Sequence, residues 1–158
     1  MIRIVTFTER YRQDFIRLNT EWIQTYFRLE ESDRRTFAQI DDYILRPGGQ
    51  IFIALNEEDA AVGCCALIPH HGDAPEEAWH ELAKMAVTPS AQGQGAGRKL
   101  GEALIAYARS HGVRLLRLEG NTHLAASIAL YRKLGFREVP LHGQAYDRCD
   151  ILMEMELT

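Results

Sequence analysis

Three glycines occupy alternate positions in a short segment between a predicted strand and a predicted helix. The segment reads PSAQGQGAGRKL (residues 89–100), and the glycines are Gly93, Gly95 and Gly97. Because a glycine inside a helix costs about 1 kcal/mol relative to alanine, these glycines must supply a backbone conformation that other residues avoid. Positive φ angles let successive N–H groups point into one concavity. Such a turn at a helix N-terminus predicts a binding site for a phosphate-type anion.

Two common phosphate-binding motifs do not fit this segment. The P-loop, G-x-x-x-x-G-K-[ST], and the dinucleotide-binding fingerprint, G-x-G-x-x-G, both need a glycine five residues after their first glycine. That position is Arg98 when counted from Gly93 and Leu100 when counted from Gly95. The pattern that does fit is Q-x-x-G-x-G, which begins at Gln92. A glycine-rich turn without a ligand stays open as the alternative.

The composition is that of an ordinary globular protein with one domain. The chain has 158 residues, of which 46% are hydrophobic and 25% are charged, and this length is enough to bury a core. The net charge of −4 and the lack of any basic run longer than Arg34–Arg35 argue against nucleic-acid binding. No apolar stretch of 18 residues occurs and the N-terminus is charged, which predicts a cytoplasmic protein with no membrane partner. The odd number of cysteines predicts free thiols at Cys64, Cys65 and Cys149.

Hydrophobic periodicity and turn residues predict strands and helices along the whole chain. The predicted strands cover 2–7, 50–55, 61–68, 78–87, 113–120, 136–141 and 147–157. The predicted helices cover about 9–28, 33–45 and 123–134, together with the helix that follows the glycines and ends at Gly112. The side chains of Thr8, Ser32 and Thr122 are the predicted N-caps of three of these helices.

The order of these elements predicts an α+β fold. The strands at 79–87 and 113–120 flank a helix and should therefore be parallel, whereas strands joined by short turns should be antiparallel. A mixed sheet with helices on both faces follows. The loop at 69–77 is predicted to be solvated and to hold His70 and His71, which lack metal-ligand spacing to any cysteine or carboxylate cluster. No metal site is expected.

At two places the sequence resembles the Gcn5-related N-acetyltransferases, the GNAT family. The segment AVTPSAQGQGAGRKL (residues 86–100) matches the acetyl-CoA pyrophosphate motif of that family, and NTHLAASIALYRKLGF (residues 121–136) resembles its Y-x-x-x-G-F signature. Tyr131, Gly135 and Phe136 meet that signature. The resemblance implies a single N-acetyltransferase domain over residues 1–158, with a mostly antiparallel sheet in which two parallel strands splay apart. It also implies acetyl-CoA as the co-substrate.

The resemblance assigns residues to the acetyl-CoA site. Backbone groups of Met85 and Val87 would pair with the pantetheine arm, and the N–H near Met85 would polarise the thioester carbonyl. Asn121 would bond the pantetheine or only cap the next helix, and Ser127 would meet the cofactor or bond its own helix. The sequence departs from the family at Leu124 and Ser127, where an asparagine and an alanine are frequent. The predicted cofactor-binding residues are Met85, Val87, Gln92, Gly93, Gln94, Gly95, Ala96, Gly97, Arg98, Asn121, Ser127 and Tyr131.

Two side chains are predicted to be catalytic. Tyr131 resembles the family tyrosine near the cofactor sulfur, and a phenol with a pKa near 10 can donate a proton to a departing thiolate. The alternative is a core tyrosine on a helical stripe. Glu81, on the strand before the glycine segment, resembles a glutamate base of the histone-acetylating branch. It lies about 13 Å from Met85 along the strand, so it would act through water. The alternatives are a solvated glutamate or one paired with Lys84 or His80.

The acceptor side is less defined by the sequence. By resemblance the first two helices line it, so Trp22, Tyr26, Phe27 and Glu30 are candidate acceptor contacts, although helix packing explains the aromatics equally well. The implied activity is acetyl transfer to a primary amine of a small molecule or peptide, which the sequence does not identify. An acyl-CoA-binding regulatory module without turnover and an O-acyltransferase stay open. Pairing of the last strands between two subunits, as a homodimer, is left open as well.

Overall fold

The computed structural model describes residues 1–72, 77–143 and 146–157. Seven strands are found in this part of the chain: β1 (Arg3–Thr6), β2 (Gln50–Leu55), β3 (Ala61–His70), β4 (Trp79–Val87), β5 (Leu115–Gly120), β6 (Arg137–Val139) and β7 (Ile151–Glu156). They form one sheet in the order β1-β2-β3-β4-β5-β7-β6. Every neighbouring pair is antiparallel except β4 and β5, which are parallel. The predicted mixed sheet is therefore confirmed.

In the described residues, four α-helices and three further helical turns with complete bounds connect the strands. The helices are α1 (Arg12–Tyr26), α2 (Glu31–Ala38), α3 (Ala96–Ser110) and α4 (Ala125–Leu134). The turns are two 3-10 segments, Glu9–Tyr11 and Pro89–Ala91, and a π-helical segment, Asp41–Leu45. Within the described ranges, no helix combines the length and the apolar composition that crossing a bilayer requires.

A hydrophobic core lies on each face of the sheet. On one face Leu100 and Leu104 of α3 pack with Leu116 of β5, and on the other Phe15 and Leu18 of α1 pack with residues of β2 and β3. Helices on both faces are thus observed, as predicted. Helix α3 is buried at Leu100, Leu104 and Ala108, while its C-cap residue, His111, is exposed.

The three predicted N-caps are wrong. Neither Thr8 nor Ser32 caps a helix with its side chain; a 3-10 turn follows Thr8, and Glu30 is the N-cap of α2. Asp33 accepts a hydrogen bond from the Glu30 N–H, and the Glu30 side chain accepts one from the Asp33 N–H in return. The hydroxyl of Thr122 bonds Asp150 instead, and α4 begins three residues later at Ala125.

Two predicted element boundaries are also wrong. The predicted helix over 33–45 ends at Ala38, and a separate π-helical turn follows it. The strand predicted to end at position 68 continues to His70, because β3 pairs with β4 as far as His70 opposite Trp79. His70 is therefore a strand residue, not a loop residue. Part of the predicted loop, residues 73–76, lies outside the described residues.

The parallel strands β4 and β5 diverge, and β4 carries an irregularity at the same place. Their pairing is limited to His80 opposite Leu116 and Glu81 opposite Arg117. Further along β4, Ala83 faces Ala66 and Ala86 faces Cys64, so Lys84 and Met85 together oppose the single residue Cys65. This is the geometry of a β-bulge, and Lys84 within it has a φ of +57°. The bulge and the short pairing open a gap beyond Glu81.

Candidate active site

A cavity lies in the gap between β4 and β5. Its walls come from the end of β4, the end of β5, the second half of α1, the first turns of α4 and the segment before β7. The residues that line it include Trp22, Phe27, Glu81, Lys84, Met85, Glu119, Asn121, Ser127, Tyr131, Tyr146 and Arg148. Residues distant in the sequence are thus brought to one place by the divergence of the two parallel strands.

The glycine segment leads into α3 beside this gap. Gly93 and Gly95 have φ angles of +84° and +81°, and Gly95 is the N-cap of α3. The N–H groups of Ala96, Gly97 and Arg98 form the first turn of α3, where no intrahelical acceptor exists. These donors and the helix dipole suit a diphosphate. The residues present therefore fit the acetyl-CoA diphosphate.

The third glycine, Gly97, is explained by close packing and not by a positive φ angle. A Cβ at Gly97 would lie 3.1 Å from Cδ2 of Leu130, so Gly97 allows α3 to approach α4 closely. The side chains of the neighbouring glutamines bond the loop itself. Gln92 Nε2 donates to the Val87 carbonyl at 3.3 Å, and Gln94 Nε2 donates to the Ser90 carbonyl at 3.0 Å. Both glutamines therefore stabilise the loop conformation.

Tyr131 lines the cavity from α4. Among the described residues no group is hydrogen-bonded to its hydroxyl, and its ring packs edge-on against Phe136 with the centroids 6.2 Å apart. Burial raises the pKa of Tyr131 to about 12. The phenol is thus protonated at neutral pH and can donate its proton into the cavity.

Asn121 and Ser127 also line the cavity, but they differ in their side-chain hydrogen bonds to the described residues. Asn121 Nδ2 donates to the Arg148 carbonyl at 2.7 Å and its Oδ1 accepts from the His123 N–H at 2.8 Å. The Asn121 amide thus ties the start of α4 to the segment before β7, instead of capping α4. Ser127 makes no side-chain hydrogen bond among the described residues, so its hydroxyl is available to a ligand.

Glu81 lines the cavity from β4 and is buried. Only 9% of its side chain is exposed, and its Oε1 lies 2.8 Å from Nε2 of His70. A solvated glutamate is therefore not what the structure contains, and the partner is neither Lys84 nor His80. His70 was not predicted as this partner because its neighbours in the sequence indicate a loop. The length of β4, nine residues, could have indicated that the strand pairing with it, β3, is about as long and includes His70.

A buried charge cluster lies next to Glu81. Asp33 of α2 is fully buried and accepts hydrogen bonds from Lys84 Nζ at 2.8 Å and from two nitrogens of Arg148 at 2.8 and 2.9 Å. Lys84 Nζ also donates to the Tyr146 hydroxyl at 2.6 Å. Burial alone would raise the pKa of Asp33, but the hydrogen bonds from Arg148 and the charge of Lys84 outweigh it and hold that pKa well below its usual range.

Burial also shifts the pKa values of Lys84 and of the Tyr146 hydroxyl to which Lys84 donates. It lowers the pKa of Lys84, an effect that Asp33 opposes, and it raises the pKa of Tyr146. Sequence reasoning missed this cluster. The one available signal was a lysine inside the apolar run LAKMAV, since a buried lysine requires a charged partner. The identity of that partner, 51 residues away, was not visible.

Of the four predicted acceptor contacts, two line the cavity and two do not. Trp22 and Phe27 line the cavity, with their ring centroids 6.1 Å apart. The Tyr26 and Trp22 ring centroids are 5.3 Å apart; Tyr26 is 45% exposed and is not among the residues that line the cavity. Glu30 is also not among the residues that line the cavity, and it accepts hydrogen bonds from the Asp147 N–H and from Arg148. In the described part of the chain, no group of three or more His, Cys, Asp or Glu residues is arranged to hold a metal ion.

Comparison with known proteins agrees with this geometry. An IAA acetyltransferase of Azospirillum brasilense is 34% identical over 107 residues, which cover 67% of this chain and 67% of that protein. A ribosomal protein bS18-alanine N-acetyltransferase of Escherichia coli (strain K12) is 44% identical over 69 residues, 44% of this chain. The match spans about half, 47%, of the length of that relative.

The chain also resembles solved structures in its fold. A GNAT superfamily phosphinothricin acetyltransferase (Pat) from Sinorhizobium meliloti, solved in complex with AcCoA, superimposes with a TM-score of 0.80 at 19% identity, covering 99% of this chain and 88% of that one. This likeness shows a shared fold. A family model described as the Acetyltransferase (GNAT) family matches residues 16–136. Since that match covers most of the chain, the protein belongs to the GNAT family of acetyltransferases.

Proposed function

We propose that this chain, as a single domain over residues 1–158, transfers an acetyl group from acetyl-CoA to a primary amine of a small molecule or peptide. The observation that carries the proposal is that Glu81 and Tyr131 line one cavity, Glu81 from β4 and Tyr131 from α4. One is a buried carboxylate able to take a proton, and the other is a protonated phenol able to give one. Amine acetylation requires both.

The binding of acetyl-CoA rests on backbone groups. The N–H groups from Gly93 to Arg98 would hold the diphosphate at the N-terminus of α3. Met85, which the β-bulge leaves without a register partner on β3, and Val87 would present backbone groups to the pantetheine arm. Ser127 would add a hydroxyl from α4. When bound, acetyl-CoA supplies an acetyl group activated as a thioester.

The side chains would divide the proton transfers between them. An alkylamine has a pKa near 10.4 and is charged at neutral pH, so it must lose a proton before it can attack a carbonyl. Glu81 would take that proton, directly or through one water. The N–H of Met85 would polarise the acetyl carbonyl. Tyr131 would donate its proton to the departing sulfur and regain one from the amine nitrogen after the C–N bond has formed.

The lining of the acceptor side suits a cationic amine. Glu81 and Glu119 contribute negative charge to the cavity, while the charges of Lys84 and Arg148 are compensated by Asp33 and Glu30. Trp22 and Phe27 would contact the apolar part of the acceptor, and Glu30 and Tyr26 would contact parts of the acceptor outside the cavity. The name of one relative gives an alanine of a ribosomal protein as its acceptor, which supports a peptide amine as one acceptor class.

Other parts of the proposal have less support. A cytoplasmic location stays a prediction, to which the free thiols of the three cysteines are suited. A homodimer also stays a prediction. Since β7 lies between β5 and β6, only the three-residue β6 offers an open edge at that end of the sheet.

The decisive experiment is an amine panel. Purified protein is incubated with acetyl-CoA, a thiol reagent and amines that include amino acids, polyamines, aminoglycosides and peptides with free N-termini. We expect at least one amine to stimulate the release of free thiol, with an acetylated product found by mass spectrometry. Binding of acetyl-CoA without stimulated release would indicate a regulatory module. Stimulation by alcohols alone would indicate O-acyl transfer.

A further inference from the structure

His70 connects the buried Glu81 to the surface of the protein. Its Nε2 lies 2.8 Å from Glu81 Oε1, and 38% of its side chain is exposed, against 9% for Glu81. Glu81 in turn lines the cavity. The two side chains therefore form a short hydrogen-bonded path from the cavity to solvent.

Packing fixes this path in one orientation. The His70 ring stacks on Trp79, with the centroids 4.0 Å apart and the planes 7° from parallel. Cζ of Arg117 lies 4.3 Å from the centroid of the same indole, and Arg117 Nε donates to Glu154 at 2.8 Å. A half-exposed histidine would otherwise sample several rotamers. The stack holds Nε2 towards Glu81, as a proton path requires.

Amine acetylation produces a proton that must leave the cavity. The reaction forms a C–N bond and breaks a C–S bond, and the ammonium nitrogen loses two protons. One of them ends on the coenzyme A thiol and the other is released to solvent. Imidazole is the side chain whose ordinary pKa, about 6.5, suits it to exchange protons with water near neutral pH.

We propose that His70 is the proton-exit residue of this acetyltransferase, acting through Glu81. Glu81 takes a proton from the ammonium group and passes it from Oε1 to Nε2 of His70. Because the ionised Glu81 carboxylate accepts from Nε2–H at rest, exchange of the ring proton with water first brings His70 to its Nδ1–H tautomer, so that Nε2 can accept the proton from Glu81. The imidazolium then releases the Nδ1 proton to solvent, and Nε2–H again donates to the ionised Glu81. The inference rests on the proposed function, because a substrate ammonium must be present to supply the proton.

Neighbouring groups favour this exit over others. Lys84 is already bound to Asp33 and Tyr146, so it is not free to carry a proton. His80 lies on the opposite face of β4 from Glu81, and burial lowers its pKa, so it stays neutral at neutral pH. The charged and titratable groups that neighbour the path are Lys84, Asp33, Arg117, Tyr146, Arg148, Glu119, His71 and His80.

The test compares His70→Ala with His71→Ala. His71 is the adjacent exposed residue and makes no side-chain hydrogen bond among the described residues, so it is a matched control. Turnover of the best amine is measured at low buffer concentration. We expect kcat of His70→Ala to fall about tenfold, less than the roughly 100- to 10,000-fold of a direct general acid or base, because His70 acts through Glu81. Added imidazole should restore it in proportion to concentration, while wild type and His71→Ala should not respond.

A second measurement does not depend on turnover. In the free protein, the Glu81→Gln substitution should change the ¹⁵N NMR shifts of the His70 ring and leave those of His71 unchanged. A wild-type kcat in His70→Ala, or a loss that imidazole does not restore, would overturn the relay and leave the acetyltransferase assignment intact. Absence of turnover with every amine in the wild type would overturn the proposed function, and the relay with it.

Discussion

The two ends of the proposed site, one for acetyl-CoA and one for the acceptor, are built in different ways. At the acetyl-CoA end, the positive φ angles of Gly93 and Gly95 and the first turn of α3 lie within six consecutive residues. At the acceptor end, Asp33 meets Lys84 from 51 residues away and Arg148 from 115 residues away. The first end depends on local backbone conformation and the second on long-range side-chain contacts. Each end should therefore respond to a different kind of substitution.

Loss of the Asp33 charge should have the largest effect on stability. Asp33→Asn keeps an acceptor for the Glu30 N–H but leaves Lys84 buried without a counter-charge. Breaking a buried ion pair from one side typically costs about 3–5 kcal/mol, so we expect a loss of that size in the free energy of unfolding measured with urea. Glu31→Gln, an exposed change on the same helix, is the control. A loss below about 1 kcal/mol would show that the long-range cluster does not stabilise the acceptor end.

Tyr131→Phe should give the largest effect on catalysis. It removes the hydroxyl that lines the cavity and keeps the ring that packs against Phe136. We expect kcat to fall by about 10- to 1000-fold, the usual size for loss of an acid, with the affinity for acetyl-CoA unchanged in calorimetry. Tyr107→Phe, on α3 and outside the cavity, is the matched control. An unchanged kcat with intact folding would remove Tyr131 from the mechanism.

Two alanine substitutions separate the effect of the glycine loop on coenzyme A binding from the effect of backbone strain on stability. Gly95 and Gly112 have φ angles of +81° and +75°, with open space where a Cβ would be added. Each alanine should therefore cost a similar amount, about 1–2 kcal/mol of stability. Only Gly95→Ala should also weaken coenzyme A binding, by about tenfold if the strain is relieved by moving the N–H groups. Equal coenzyme A affinity in the two variants would contradict a diphosphate site at this loop.

The sequence predicted the local conformation of the glycine segment but not the long-range contacts of Asp33, for the same physical reason. Glycines at positive φ before a helix reveal themselves through residue type and spacing, and Gly95 is indeed the N-cap of α3. The N-terminus of α2 is different. Ser32 is the commoner cap residue, yet Glu30 and Asp33 form the cap, because Asp33 is positioned by Lys84 and Arg148 from elsewhere in the chain. No local pattern contains that information.

His70 is a second case of the same limit. Its neighbours PHHGD read as a loop, and the length of β3 is set by pairing with β4 as far as Trp79. The role of Glu81 as a base stays a prediction, and the partner of its side chain depends on that register. Strand register is a property of two segments together, so a single segment cannot show it.

The pH dependence of stability gives the smallest and most specific test of the acceptor-end cluster. The pKa of Asp33 is lower in the folded protein than in the unfolded chain, so Asp33 stabilises the fold above its unfolded pKa of about 3.9 and loses that contribution as pH falls through its folded pKa. The difference in unfolding free energy between wild type and Asp33→Asn should therefore be constant from pH 7 to about pH 5 and shrink below it. Urea titrations at pH 7, 5, 4 and 3 measure this difference. If it stays constant down to pH 3, Asp33 is not held ionised by Arg148 and Lys84, and the acceptor end owes its stability to packing alone.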